Sequence, residues 1–222
     1  MIFEIKICGI TNVDDALAAV DAGADAIGLN FYRGSKRCVD VDEARQIVDA
    51  IGNRAEKIGV FVNQSADDIR EICRDTGLHL IQLHGDEPPE LLRLLNKDHD
   101  LIRARRLDER GLSAIVDDLQ ACSDLSGFFP DAILVDSAVS GQFGGTGLAV
   151  DWQLLANYRE LLGSTPLILA GGLVPANVGE AIRIVRPQAV DVASGVESTP
   201  GKKDTAKMRD FVDAAQAAFA AL

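Results

Sequence analysis

The chain has 222 residues, 47% apolar and 25% charged, with 20 Gly and 7 Pro, a composition that excludes a collagen-like, low-complexity or wholly disordered polymer. A formal net charge of −12 repels phosphate backbones and anionic lipid, so no nucleic acid and no membrane surface is expected as a partner. Four dispersed cysteines, with no CxxC pair and no clustered His, point away from a metal site or disulfide framework and towards a reducing compartment.

The first apolar run, EIKIC (4–8), leads into VDDALAAVDAG, a helical pattern that Thr11 or Asn12 can cap and Gly23 stops. DAIGLN (25–30) is followed by VDEARQIVDAIG behind Asp40, and KIGVFV (57–62) by SADDIREICRDTG, whose first-turn acids suit the helix dipole. HLIQLH (79–84) precedes EPPELLRLL, with Pro88 and Pro89 where a helix begins. LIRAR (101–105) leads to SAIVDDLQACS, and AILVDS (132–137) to VDWQLLANYREL. PLILAG (166–171) leads to PANVGEAIRIV, and AVDVAS (189–194) to KKDTAKMRDFVDAAQAAF.

Near-continuous Ile, Val and Leu runs suit strands buried on both faces, hence a parallel sheet. Eight strand–helix units of roughly 28 residues, with no linker between them, predict a single α/β domain over 1–222: a (β/α)8 TIM barrel with a parallel eight-stranded core. An open doubly wound sheet is the alternative. No basic leader with a long apolar run opens the chain, and no stretch approaches 18 apolar residues, so a cytoplasmic address is expected.

In such a barrel the strand C-termini and the loops after them form the active face. Cys8, Asn30, Asn63, His84, Arg103 or Arg105, and Asp136 fall there. So do three glycine-bearing loops, SGQFGGTG (140–147), LAGGL (169–173) and ASGV (193–196). Each glycine pair alone is an ordinary turn, but three at one end predict a phosphate held by bare main-chain N–H groups. Cys8 closes its strand and is either a small buried hydrophobe or a base. Asp136 ends an apolar run and is either ion-paired or an acid. Arg37, in YRGSKRCVD (32–40), is either solvated or grips a carboxylate bidentately. His84 reads equally as a donor or as a satisfied strand-end histidine. Cys38, Cys73 and Cys122 read as packing residues.

The order KICGIT (6–11), KRCV (36–39), GVFVNQ (59–64), IQLHGDE (81–87), LVDS (134–137), GGTG (144–147), LILAGGLVPANV (167–178), VDVASGVES (190–198) and PGKKD (200–204) resembles the phosphoribosylanthranilate isomerase family over essentially the whole chain. The resemblance implies a cofactor-free, metal-free Amadori rearrangement of a phosphorylated small molecule in tryptophan biosynthesis. It further implies Cys8 as general base and Asp136 as general acid, with Arg37 on the anthranilate carboxylate. Gly144, Gly145, Gly172, Ser194 and Gly195 would bind phosphate, and His84 and Asp191 would stand near the substrate. A histidine-pathway isomerase would instead be expected to use carboxylates for both proton transfers. An indole-glycerol-phosphate synthase would need a strand-end lysine that neither Lys6 nor Lys57 supplies. A monomer and a homodimer are equally compatible with the sequence.

Overall fold

The apolar runs become eight strands: β1 Ile5–Cys8, β2 Ala26–Asn30, β3 Glu56–Phe61, β4 Leu80–Leu83, β5 Asp100–Arg106, β6 Ala132–Asp136, β7 Leu167–Leu169 and β8 Ala189–Val192. They pair in parallel and in chain order, and β8 returns to β1 through Ile5 with Val190 and Lys6 with Asp191, which closes the barrel. This computed structural model describes residues 3–107, 110–136 and 152–222. The closed ring decides between the two architectures compatible with eight βα units.

Around the ring lie α1 Val13–Asp21, α2 Val41–Ile51, α3 Ala66–Thr76, α4 Glu90–Leu95, α5 Leu112–Ser126, α6 Tyr158–Leu162, α7 Val178–Val185 and α8 Thr205–Phe219. Their starts follow local chemistry: the side chains of Asn12, Asp40 and Ser65 accept from the N–H groups of Asp15, Glu43 and Asp68. Three predicted helices are shorter than their patterns. The sixth divides into a 3₁₀ turn, Trp152–Leu155, and α6, with Asn157 at φ −108°, ψ 20° between them. The seventh begins late because Asn177 accepts from Val174 N–H and donates to Gly172 O, holding 174–177 as a loop. The eighth loses Lys202 and Lys203 to a small antiparallel ribbon, β9 Glu197–Thr199 with β10 Lys202–Lys203, and Asp204 caps what remains. Among the described residues no helix is long and apolar enough to cross a membrane.

The two-residue period of the strands makes two apolar layers. Ile58, Leu80, Ile102, Leu134 and Ile168 fill the barrel interior, with Phe3 among them. The alternate residues, such as Ile7, Leu29, Ile81 and Val190, pack outwards against the helices. That alternation corrects the placing of Arg103 and Arg105 on the active face. Ile102 and Ala104 point inwards, and the two arginines meet Asp118 of α5 on the outside. Arg103 donates from Nε and Nη2 at 2.8 and 3.0 Å, and Arg105 lies 2.9 Å away.

Burial alone would raise the Asp118 carboxyl, but the hydrogen bonds and charges of Arg103 and Arg105 prevail and hold it below the usual aspartate value. Its contribution to stability is therefore present above the unfolded aspartate pKa of about 3.9 and is lost as pH falls through the lower folded value. Asp118→Asn is expected to cost about 3 kcal/mol at neutral pH, because it strands the buried Arg103 guanidinium. Denaturant midpoints measure this; an unchanged midpoint would refute the structural role given to the pair.

Candidate active site

At the C-terminal ends of the strands the barrel opens into a cleft. Cys8 and Asp136 line it from strands three places apart around the ring. Arg37, His84, Asp191, Gly172, Ser194 and Gly195 line it too. The structure thus brings together the described residues to which the family resemblance gives a role. Gly144 and Gly145, also expected there, lie outside the described residues. Asn30 joins the cleft. Asn63 instead braces a loop: its N–H donates to Glu87 and its side chain accepts from Asp86 N–H.

On β1 the two-residue period turns Lys6 and Cys8 inwards together. Cys8 pairs in register with Gly28 of β2, and a Cβ at position 28 would stand 2.6 Å from the sulfur. Burial pushes the Cys8 thiol up from its ordinary value; Lys6 and Lys203 pull it down, and Asp191 pushes it up. Lys6 is wholly buried, with Nζ 3.1 Å from Asp191 Oδ1 and 2.6 Å from Gln82 Oε1. Burial works against its charge, yet Asp191 and Cys8 hold its pKa above the usual lysine value. Beyond Gln82 comes His84, whose Nε2 is 3.4 Å from Asp136 Oδ2.

Arg37 is held from two sides. Its stem crosses Gly9, whose φ is 74° and where a Cβ would lie 2.4 Å from Arg37 Cδ. Its Nε and Nη2 donate to Glu197 at 2.7 and 2.8 Å. Those bonds raise the Arg37 pKa, so the guanidinium stays charged. Glu197 also accepts from Lys203 Nζ at 3.0 Å. Burial raises the Glu197 carboxyl, but Arg37 and Lys203 outweigh it and hold the group below its usual range. Glu197 and Lys203 were missed in the sequence. Both fall in segments that carry the resemblance, VDVASGVES and PGKKD, but neither was given a role there. At Gly195 a Cβ would fall 1.9 Å from Leu173 O, so the two described glycine loops meet backbone to backbone. Cys73 and Cys122 are buried helix residues, as expected, whereas Cys38 is half-exposed.

Residues 5–214 match the family described as N-(5'phosphoribosyl)anthranilate (PRA) isomerase. The chain belongs to that family. It is 44% identical over 209 residues to the N-(5'-phosphoribosyl)anthranilate isomerase of Neisseria meningitidis serogroup C, a match that covers 93% of each chain. The crystal structure of phosphoribosyl anthranilate isomerase from Thermotoga maritima is similar at a TM-score of 0.85 and 38% identity, covering 97% of this chain and 99% of that one. A further structure of the enzyme, in complex with reduced 1-(o-carboxyphenylamino)-1-deoxyribulose 5-phosphate, is similar at 0.82 and 37% with the same coverage. The barrel, the isomerase class and the tryptophan-pathway activity expected from the sequence are borne out by this membership.

Proposed function

We propose that Cys8 and Asp136 carry the proton transfers of the isomerisation, converting N-(5-phosphoribosyl)anthranilate to 1-(2-carboxyphenylamino)-1-deoxyribulose 5-phosphate. Asp136 gives a proton to the furanose ring oxygen as the bond from that oxygen to C1′ breaks, leaving an iminium. The Cys8 thiolate takes the proton from C2′, and the electron pair left behind neutralises the iminium as an enolamine, which tautomerises to the ketose. Both groups line one cleft, and that juxtaposition is the observation that supports the assignment. Neighbouring Lys6 and Lys203 oppose the effect of burial on the thiol, as a base at this depth requires.

The main-chain N–H groups around Gly172, Ser194 and Gly195 would take the phosphate, which anchors the sugar without joining the chemistry. Arg37 would take the anthranilate carboxylate. With Nε and one N–H of Nη2 given to Glu197, it meets the substrate through the end-on face that Nη1 shares with the second N–H of Nη2. His84 stands against the acid and Asp191 against Lys6.

Steady-state turnover of freshly generated phosphoribosylanthranilate, followed by loss of its fluorescence, tests the activity directly, and absence of turnover by the folded protein would overturn it. Arg37→Ala is expected to raise KM about ten- to a hundredfold with kcat little changed, the worth of one charge-assisted hydrogen bond. An unchanged KM would remove Arg37 from the substrate carboxylate.

A further inference from the structure

A chain of polar side chains crosses the barrel interior from the Cys8 side to the Asp136 side. It runs from Asp191 to Lys6 at 3.1 Å, from Lys6 to Gln82 at 2.6 Å, from Gln82 Nε2 to His84 Nδ1 at 2.6 Å, and from His84 Nε2 to Asp136 at 3.4 Å. Lys6 and Gln82 are wholly buried, and Gln82 is assigned no part in the proton transfers above. The directions of the bonds follow from one fact: an ammonium group only donates. Lys6 therefore faces the carbonyl oxygen of Gln82, so the amide NH2 of Gln82 faces His84. The imidazole nitrogen that receives it, Nδ1, must carry a lone pair, and the ring proton of neutral His84 must sit on Nε2, towards Asp136.

We propose that Gln82 is a positioning residue, held by Lys6, that locks His84 in the Nε2–H tautomer facing the catalytic acid. The lock has two consequences for the reaction. A protonated Asp136 finds no acceptor on His84, so its proton is not drawn away along this chain. Once Asp136 has given that proton away, the Nε2–H is already in place to stabilise the carboxylate left behind. The 3.4 Å separation is longer than a formed hydrogen bond, and contacts of this kind tighten in the substrate complex. The inference rests on the base and acid assignment above but is read independently of it.

The test is 15N NMR of the folded, substrate-free protein labelled at histidine; with three histidines in the chain, His84 is assigned by its absence from His84→Gln. The expected result is a protonated Nε2 and an unprotonated Nδ1. A proton on Nδ1 overturns the proposal. Gln82→Glu replaces the donor facing His84 by a carboxylate that still pairs with Lys6. It is expected to bring a proton to Nδ1 and to lower kcat about tenfold or more with KM nearly unchanged. Gln82→Met, which removes the donor without adding a charge, is expected to leave a mixture of tautomers and an intermediate kcat. A moved proton with unaltered kcat refutes the positioning role. Should Cys8→Ala and Asp136→Asn keep near-normal turnover while the wild-type tautomer is as expected, the base and acid assignment has failed and the lock has not.

Discussion

Cys8→Ala is expected to lower kcat at least about a hundredfold, the lower end of what one positioned proton-transfer group contributes. The substitution is small and fits its surroundings: the sulfur occupies a gap left by Gly28, and alanine only shortens the side chain there. The loss should therefore fall on chemistry rather than folding. KM should change little, because the proposed phosphate and carboxylate contacts lie elsewhere, and a reduced product analogue should still bind. Denaturant midpoints near the wild-type value exclude unfolding as the cause. Turnover within a few fold of wild type would remove the thiol from the reaction.

Asp136→Asn is the second large loss, again at least about a hundredfold in kcat. The amide preserves the shape of the carboxyl at the end of β6, so the cleft should keep its form. What it lacks is a proton acidic enough to pass to a sugar ring oxygen as the ring opens. The Cys8→Ala, Asp136→Asn double variant should lose much less than the product of the two single losses, since groups acting on one substrate are strongly non-additive. Fully multiplicative losses would mean that the two groups serve separate events.

The fold could be read from the chain because parallel strands buried on both faces are continuous apolar runs, and glycines punctuate the helices between them. Element ends were less readable wherever a side chain competes with the helix. Asn177 takes up Val174 N–H and Gly172 O, and two lysines prefer a short ribbon with Glu197–Thr199. At the site, Cys8, His84 and Asp136 stood out because polar residues at the ends of apolar strands are costly without a purpose, whereas Asp191 entered only through the family resemblance. Glu197 and Lys203 did not, since their value comes from an ion-pair network with Arg37, which lies 160 residues away from Glu197 in the chain. Lys6 was readable as deep in its strand, but not as a member of a chain spanning the barrel, because Gln82 is recognised as its partner only once β1 and β4 face each other across the interior. Arg103 and Arg105 show the opposite case: their position near a strand end suggests the mouth, but strand alternation sends them to Asp118.

The crossing of Arg37 over Gly9 bears on efforts to move this specificity elsewhere. The arm proposed to reach the aromatic acid belongs to the second βα loop, but the floor it rests on is the bare, left-handed turn directly after the first strand. Grafting residues 32–40 onto another barrel would carry the guanidinium without its seat. A recipient with any side chain at the equivalent of position 9 would tilt the arm away from its ligand, so loop and glycine must be transplanted as a pair.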